Sequence, residues 1–262
     1  MKHLILLCDY GLDDAVATVA LLKNKNMFDG IDILAVGGNV PERDAFGNAV
    51  RLLSVYSGDK NGIQIVDTSE IEQPAAYLVD IHGGDGMGSL FAMPPKSDVP
   101  IVKFGDWIKT ASAENSIIVS LGPCTVTQII LQRLGECPLL LMGDHVKAEP
   151  NYNGFEFNYG INPTAFAACL KYPHAVATLD TCHIDCLDFY KENPLTDPLM
   201  RVMTDKIREL DKKRGFELTC VYDYIAVCSL IYPERYITKT VTDPFGNIIN
   251  QLEYVSGEPL VV

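Results

Sequence analysis

The chain predicts an α/β fold, an open and mainly parallel sheet flanked by helices, with a small C-terminal β-hairpin. Three observations carry that prediction. Short apolar runs alternate with longer stretches of helical periodicity; polar residues follow the end of run after run; and two alternating segments flank a turn only near the end of the chain. Strand–helix alternation of this kind indicates βαβ units. Their parallel strands are covered on both faces and therefore read as continuous apolar runs.

The first run, Leu4 to Cys8, gives way to a helical pattern over Asp14 to Lys23. Ile31 to Val36 and a helix over Arg43 to Tyr56 repeat the unit. Gln64 to Val66 reads as a third strand, Ile117 to Leu121 precedes a helix over Val126 to Leu134, and Leu139 to Met142 precedes one over Thr164 to Leu170. Ala175 to Leu179 closes the series. Later helices are predicted over roughly Pro198 to Leu210 and Asp223 to Ile231, the second stopped by Pro233, whose ring and missing N–H break a helix. Tyr236 to Val241 and Ile248 to Tyr254 flank Asp243-Pro244-Phe245-Gly246-Asn247 and read as the hairpin. The whole is Rossmann-like in type. Two Gly-, Pro-, Asp- and Asn-rich stretches, Ser69 to Pro100 and Gly143 to Phe157, read as long loops that carry the site.

The 262 residues suffice for a single domain, 1–262, with a well-buried core. No uninterrupted apolar span reaches the roughly eighteen residues of a membrane helix. The start, Met1 to Asp9, is too short and turns acidic too soon for a signal peptide, so a cytoplasmic location is expected. A formal charge of −13, from 34 acids against 21 bases, argues against nucleic acid or an anionic membrane as partner. It suits a neutral or cationic small ligand or a divalent metal. Cys8, Cys124, Cys169, Cys220 and Cys228 fall among apolar neighbours without small-scaffold spacing, so mostly reduced core thiols are expected.

The densest chemistry lies just past the first strand. Asp9, Asp13 and Asp14 put three carboxylates within six residues, at the edge where open α/β sheets bind ligands. Carboxylates so crowded resist ionisation unless a cation offsets them. A helix cap at Asp13 would account for only one of the three. Later strand ends carry Gly37-Gly38-Asn39-Val40, Gly122-Pro123-Cys124-Thr125 and, further into a loop, Glu156-Phe157-Asn158, while Tyr222-Asp223 opens a late helix. A parallel sheet would gather these at one rim.

Asp9-Tyr10-Gly11-Leu12-Asp13-Asp14-Ala15-Val16-Ala17 resembles the calcium-binding signature of the inosine-uridine preferring nucleoside hydrolases, D-x-D-x-G-x-D-D-A. Gly38-Asn39-Val40, His82-Gly83-Gly84-Asp85-Gly86-Met87-Gly88, Gly122-Pro123-Cys124-Thr125, Glu156-Phe157-Asn158 and Asp223-Tyr224-Ile225-Ala226-Val227 are similar to that family's later motifs, in the same order. The resemblance implies Ca²⁺ held by Asp9, Asp14, the Thr125 carbonyl and Asp223, with two ribose hydroxyls completing a shell of hard oxygens. It implies that Asp13 accepts from the ribose 2′-hydroxyl, that Asn39 and Asn158 contact sugar and water, and that Glu156, Asn151 and Met142 hold the 5′ end. The implied reaction is hydrolysis of a ribonucleoside's N-glycosidic bond with inversion, Asp9 taking a proton from water while nearby carboxylates stabilise an oxocarbenium-like transition state. A homodimer or homotetramer is implied as well.

Two positions depart from the family's pattern. Leu7 stands where the signature has its first acid, and Tyr222 where the family has a His that commonly protonates the leaving group. A phenol, with an ordinary pKa of about 10, is a weaker acid than imidazolium. This favours a base that leaves without a proton, such as the cationic nicotinamide of nicotinamide riboside; the competing expectation is that Tyr222, with Tyr224 or Phe157, stacks on a purine. His82 is expected beside the ligand or in a loop hydrogen bond, and His145 as a solvated surface side chain rather than a mobile acid. Cys182-His183-Ile184-Asp185-Cys186 resembles half of a zinc site without its second half. A catalytically impaired, calcium-dependent ribose or nucleoside binder is the main rival, and retention of Asp9 weighs against it. A phosphatase with Asp9 as nucleophile would want bases near it, and Lys2 and Lys23 are the nearest.

Overall fold

Leu4 to Cys8 are all buried, and their side chains alternate between two apolar cores: Leu4, Leu6 and Cys8 in one, Ile5 and Leu7 in the other. That is the burial of a central strand covered on both faces. The computed structural model describes residues 2–76, 78–91, 97–183, 189–190, 195–216 and 219–255. Its strands are β1 (Lys2–Cys8), β2 (Phe28–Ala35), β3 (Ile63–Asp67), β4 (Ile101–Lys103), β5 (Ser116–Ser120), β6 (Leu139–Met142), β7 (His174–Ala177), β8 (Tyr236–Thr242) and β9 (Ile248–Tyr254). They form one nine-stranded sheet in the order β4-β3-β2-β1-β5-β6-β7-β9-β8. All neighbours pair in parallel except β8 and β9.

The described helices are α1 (Leu12–Lys23), α2 (Glu42–Val55), α3 (Val79–His82), α4 (Phe104–Thr110), α5 (Thr125–Leu134), α6 (Phe157–Ile161), α7 (Pro163–Cys169), α8 (Leu179–Cys182), α9 (Pro198–Lys213) and α10 (Tyr222–Ile231). Residues of α1, α2, α9 and α10 build the first core, and residues of α4, α5 and α7 the second. Leu7 lies fully buried in the second. Hydrocarbon therefore fills the place of the signature's first acid, where an unpaired carboxylate would be costly to bury. No helix among the described residues is long and apolar enough to cross a membrane.

From β1 the chain steps outward through β2, β3 and β4, then returns to β5 on the other flank. The connections leaving β1 and β5 thus run in opposite directions and open a crevice at their carboxyl ends, the usual ligand position in such sheets. Asp9 follows β1 at that point and Leu121-Gly122 follow β5.

Some expectations shift. The short strand Ile101–Lys103 and the helix Phe104–Thr110 have no counterpart in the sequence reading; β4 is a three-residue edge strand, exposed at both ends, and carries no periodic signal. The predicted loop Ser69 to Pro100 contains α3. The predicted hairpin adds itself to the main sheet, with Val176 paired to Gln251. Cys8, Cys124, Cys137, Cys169, Cys182 and Cys228 are free and buried. Cys220, expected as a reduced thiol, is disulfide-bonded, a pairing that sequence spacing alone does not reveal.

Candidate active site

Asp9 is almost fully buried, and one residue clamps its carboxylate. The Asn39 backbone N–H donates to Oδ2 at 2.7 Å and the Asn39 side-chain amide donates to Oδ1 at 3.0 Å. Asn39 can do this because β2 ends beside β1 and because Gly38 lies against Asp9: a Cβ there would overlap Asp9 Oδ2. Asp14, on the first turn of α1, accepts the Asp9 N–H at 3.2 Å and the Gly11 N–H at 2.9 Å. Between them Tyr10 takes a left-handed φ of +43°, a conformation that costs a non-glycine residue about 1–3 kcal/mol and persists where its surroundings hold it.

Asp223, on the first turn of α10, closes the cluster. Carboxylate oxygens of Asp13, Asp14 and Asp223 lie within 4.8 Å of one another. Asp13 Oδ1 is buried without a hydrogen-bond partner, 3.7 Å from His82 Nδ1. Burial, and then the charge of neighbouring carboxylates, raises Asp14 and Asp223 well above the ordinary range. Burial likewise pushes Asp9 up to about 7, against the hydrogen bonds from Asn39 that favour its ionised form. Converging oxygens, one of them orphaned, in a site that disfavours uncompensated negative charge make a fitting seat for a hard cation.

A cavity of about 630 Å³ opens beside the cluster, lined by Asp9, Asp13, Asn39, His82, Met142, Asn151, Glu156, Phe157, Asn158, Tyr222 and Asp223 among others. His82 is buried, and burial lowers its pKa; its Nδ1 accepts the Leu12 N–H at 3.2 Å, tying α3 to the start of α1. It therefore both holds a turn and faces the cavity. The Asn158 amide donates to the carbonyls of Leu121 and Met142, at 2.7 and 3.1 Å, and so bridges the ends of β5 and β6. Glu156 Oε2 accepts from the N–H groups of Asp144 and Tyr159, both at 3.0 Å, and burial raises its carboxyl to about 7. Phe157 packs edge-on against Tyr152, and Asn151 is exposed at the cavity rim. Thr125 begins α5, where its hydroxyl accepts from Asn162 at 2.9 Å; it does not line the cavity.

A second acidic pair lies behind Glu156. Asp144 is fully buried near Asp243, with its Oδ2 lacking a hydrogen-bond partner, and the oxygens of Asp243 accept the N–H groups of Phe245 and Asn247 and the Asn247 amide. Burial raises the Asp144 carboxyl to about 8. A free carboxyl ionises near 3.9, so between about pH 4 and pH 8 the folded state binds the proton more tightly and stability declines as pH rises. Asp144→Asn keeps a neutral donor towards Asp243. Thermal unfolding is expected to show the variant gaining on the native chain from pH 5 to pH 8; a constant difference would contradict this protonation. His145, expected on the surface, is instead buried edge-on against Phe245 and does not line the cavity. The hairpin covers it, a long-range contact that its polar surroundings in sequence hid.

A model of the family described as inosine-uridine preferring nucleoside hydrolase matches residues 4–251. The chain belongs to this family. As a nucleoside hydrolase it is an enzyme acting on N-glycosyl compounds. It is 27% identical to the non-specific ribonucleoside hydrolase RihC of Salmonella paratyphi A, over 99% of this chain and 88% of that one. In fold it is similar to a purine-preferring ribonucleoside hydrolase from Gardnerella vaginalis, with a TM-score of 0.71 and 20% identity, covering 98% of this chain and 94% of that one. It is also similar to the plant nucleoside hydrolase PpNRh1, with a TM-score of 0.73 and 17% identity, covering 99% and 88% of the respective chains.

The nucleoside hydrolase cavity has a second wall that sequence reading missed. His183, Asp211, Arg214 and Phe216 line it from the ends of α8 and α9. Arg214 pairs with Asp211 at 3.3 Å and lies 4.7 Å over the Phe216 ring. His183 entered the sequence reading only as part of the zinc-like run, of which 184–186 lie outside the described residues. Among the described part, Cys182 is a buried free thiol and His183 lies beside Tyr222.

Proposed function

We propose that this nucleoside hydrolase cleaves the N-glycosidic bond of ribonucleosides to base and ribose, with Ca²⁺ as its metal. The observation that carries the reading is the convergence of Asp13, Asp14 and Asp223 beside a cavity also lined by Asp9, Asn39 and Asn158. The donors are hard oxygens, which Ca²⁺ takes in numbers that two ribose hydroxyls would help complete. In the assignment carried over from the family's motifs, Asp9, Asp14, Asp223 and the Thr125 carbonyl hold the ion. When bound, the ion would supply positive charge that anchors the sugar diol and acidifies a water beside it.

The remaining steps belong to the chain's own groups. Asp9, oriented by the paired donors of Asn39, accepts the proton of the attacking water. Asp13, whose Oδ1 lacks a partner, accepts from the ribose 2′-hydroxyl. Asn158, held by two backbone carbonyls, orients the sugar, and Glu156, Met142 and Asn151 contact its 5′ end. Buried carboxylates stabilise the positive charge that develops on the sugar as the base departs. His82 and Phe157 line the cavity as further substrate contacts.

Turnover of inosine and uridine, with and without a chelator, tests the reading. Hydrolysis that stops in chelator and returns with Ca²⁺ supports it; full activity in chelator refutes the metal assignment, and ribose binding without turnover would favour the impaired binder. The working form is a cytoplasmic homodimer or homotetramer, which light scattering checks for oligomeric state.

A further inference from the structure

We propose that His183, held by Tyr222, is the acid that protonates the departing base. This rests on the hydrolase reading above and assigns the one role that the substitution at position 222 leaves open. Tyr222 and Asp223 are consecutive residues on the first turn of α10, so the helix that brings Asp223 to the acidic cluster also sets Tyr222 beside it. The Tyr222 hydroxyl lies 3.4 Å from His183 Nε2, with the two rings 6.0 Å apart. Both side chains line the cavity that Asp9, Asn39 and Asp223 also line. The His comes from the end of α8 rather than from α10, so an imidazole reaches the site from a different element.

Imidazole is the commonest general acid near neutral pH, and an exposed ring is recharged from solvent. With Nε2 engaged by Tyr222, Nδ1–H is the ring's remaining donor. As the C1′–N bond breaks, its electron pair goes to the ring nitrogen of the base, which takes the His183 proton. Water forms the new bond to C1′ and gives its proton to Asp9. The imidazole then regains a proton from solvent and Asp9 returns one to it, so that nucleoside and water give ribose and neutral base. With His183 as the acid, the lack of an imidazole at position 222 no longer by itself points to a cationic leaving group. The substrate class becomes neutral purine or pyrimidine nucleosides, whose bases leave poorly without a proton.

The test compares kcat/KM for inosine with that for p-nitrophenyl riboside, whose leaving group departs as a stabilised anion and needs no proton. In His183→Ala the inosine to p-nitrophenyl riboside ratio is expected to fall on the order of 100-fold, with added imidazole restoring inosine turnover. Tyr222→Phe keeps the ring, removes the oxygen and should move the ratio in the same direction by less. An unmoved ratio in His183→Ala, whatever the common loss, overturns the acid assignment while leaving the hydrolase reading standing. An unmoved ratio in Tyr222→Phe overturns the positioning role. Native protein that hydrolyses neither substrate overturns both readings.

Discussion

Asp9→Ala is expected to lower kcat for inosine on the order of 100- to 10,000-fold, the usual worth of a positioned general base. Asp9 sits at the switch point between β1 and β5, nearly inaccessible to solvent, with both oxygens in the grip of Asn39. Such a clamp fixes where a proton can be accepted to within a fraction of an ångström, the tolerance that positioned catalysis demands. Folding should survive the change, because truncation removes one charge from a crowd whose members already repel one another. Steady-state kinetics with far-UV circular dichroism as control would check this. A variant that folds and keeps its kcat would remove Asp9 from the mechanism.

Gly38→Ala should be nearly as damaging although it adds a single methyl group. That methyl would overlap Asp9 Oδ2 and approach Pro123 Cδ to 2.7 Å, so either the carboxylate or the loop after β2 must move. Overpacking of this kind typically costs about 1–3 kcal/mol, and any displacement of Asp9 also separates it from the Asn39 donors. Turnover should fall together with the denaturant midpoint. Gly47 provides the internal control: it lies inside α2 with open space where a Cβ would be, so Gly47→Ala should raise stability by about 0.5–1 kcal/mol and leave kinetics alone. If Gly38→Ala behaved like Gly47→Ala, the close approach of the β2 loop to Asp9 would be wrong.

The sheet was legible in the sequence because its signal is local. Leu4 to Cys8 read as buried on both faces, and the structure alternates them between two cores. Polar residues past the strand ends pointed to one rim for a topological reason, since parallel strands deliver their carboxyl ends to the same side. Asp9, Asn39 and Asp223 accordingly meet across more than two hundred residues of chain. What stayed hidden depends on contacts without a local period. β4 is too short to alternate, and the His145 environment is made by a hairpin from the far end of the chain. His183 stood in the sequence only within a zinc-like half-run, and its place beside the ring of Tyr222 is a long-range contact. Leu7 could be recognised as a departure but not explained until its side chain was seen to lie in the second core.

Titration calorimetry of Ca²⁺ into chelator-treated protein tests the central claim most directly, because it reads the ion and not the chemistry. One ion per chain should bind the native protein, and Asp223→Asn, from a helix far along the chain, should weaken that binding as severely as Asp14→Asn does beside β1. Native-like Ca²⁺ affinity in Asp223→Asn would contradict a metal shared between the two ends of the fold.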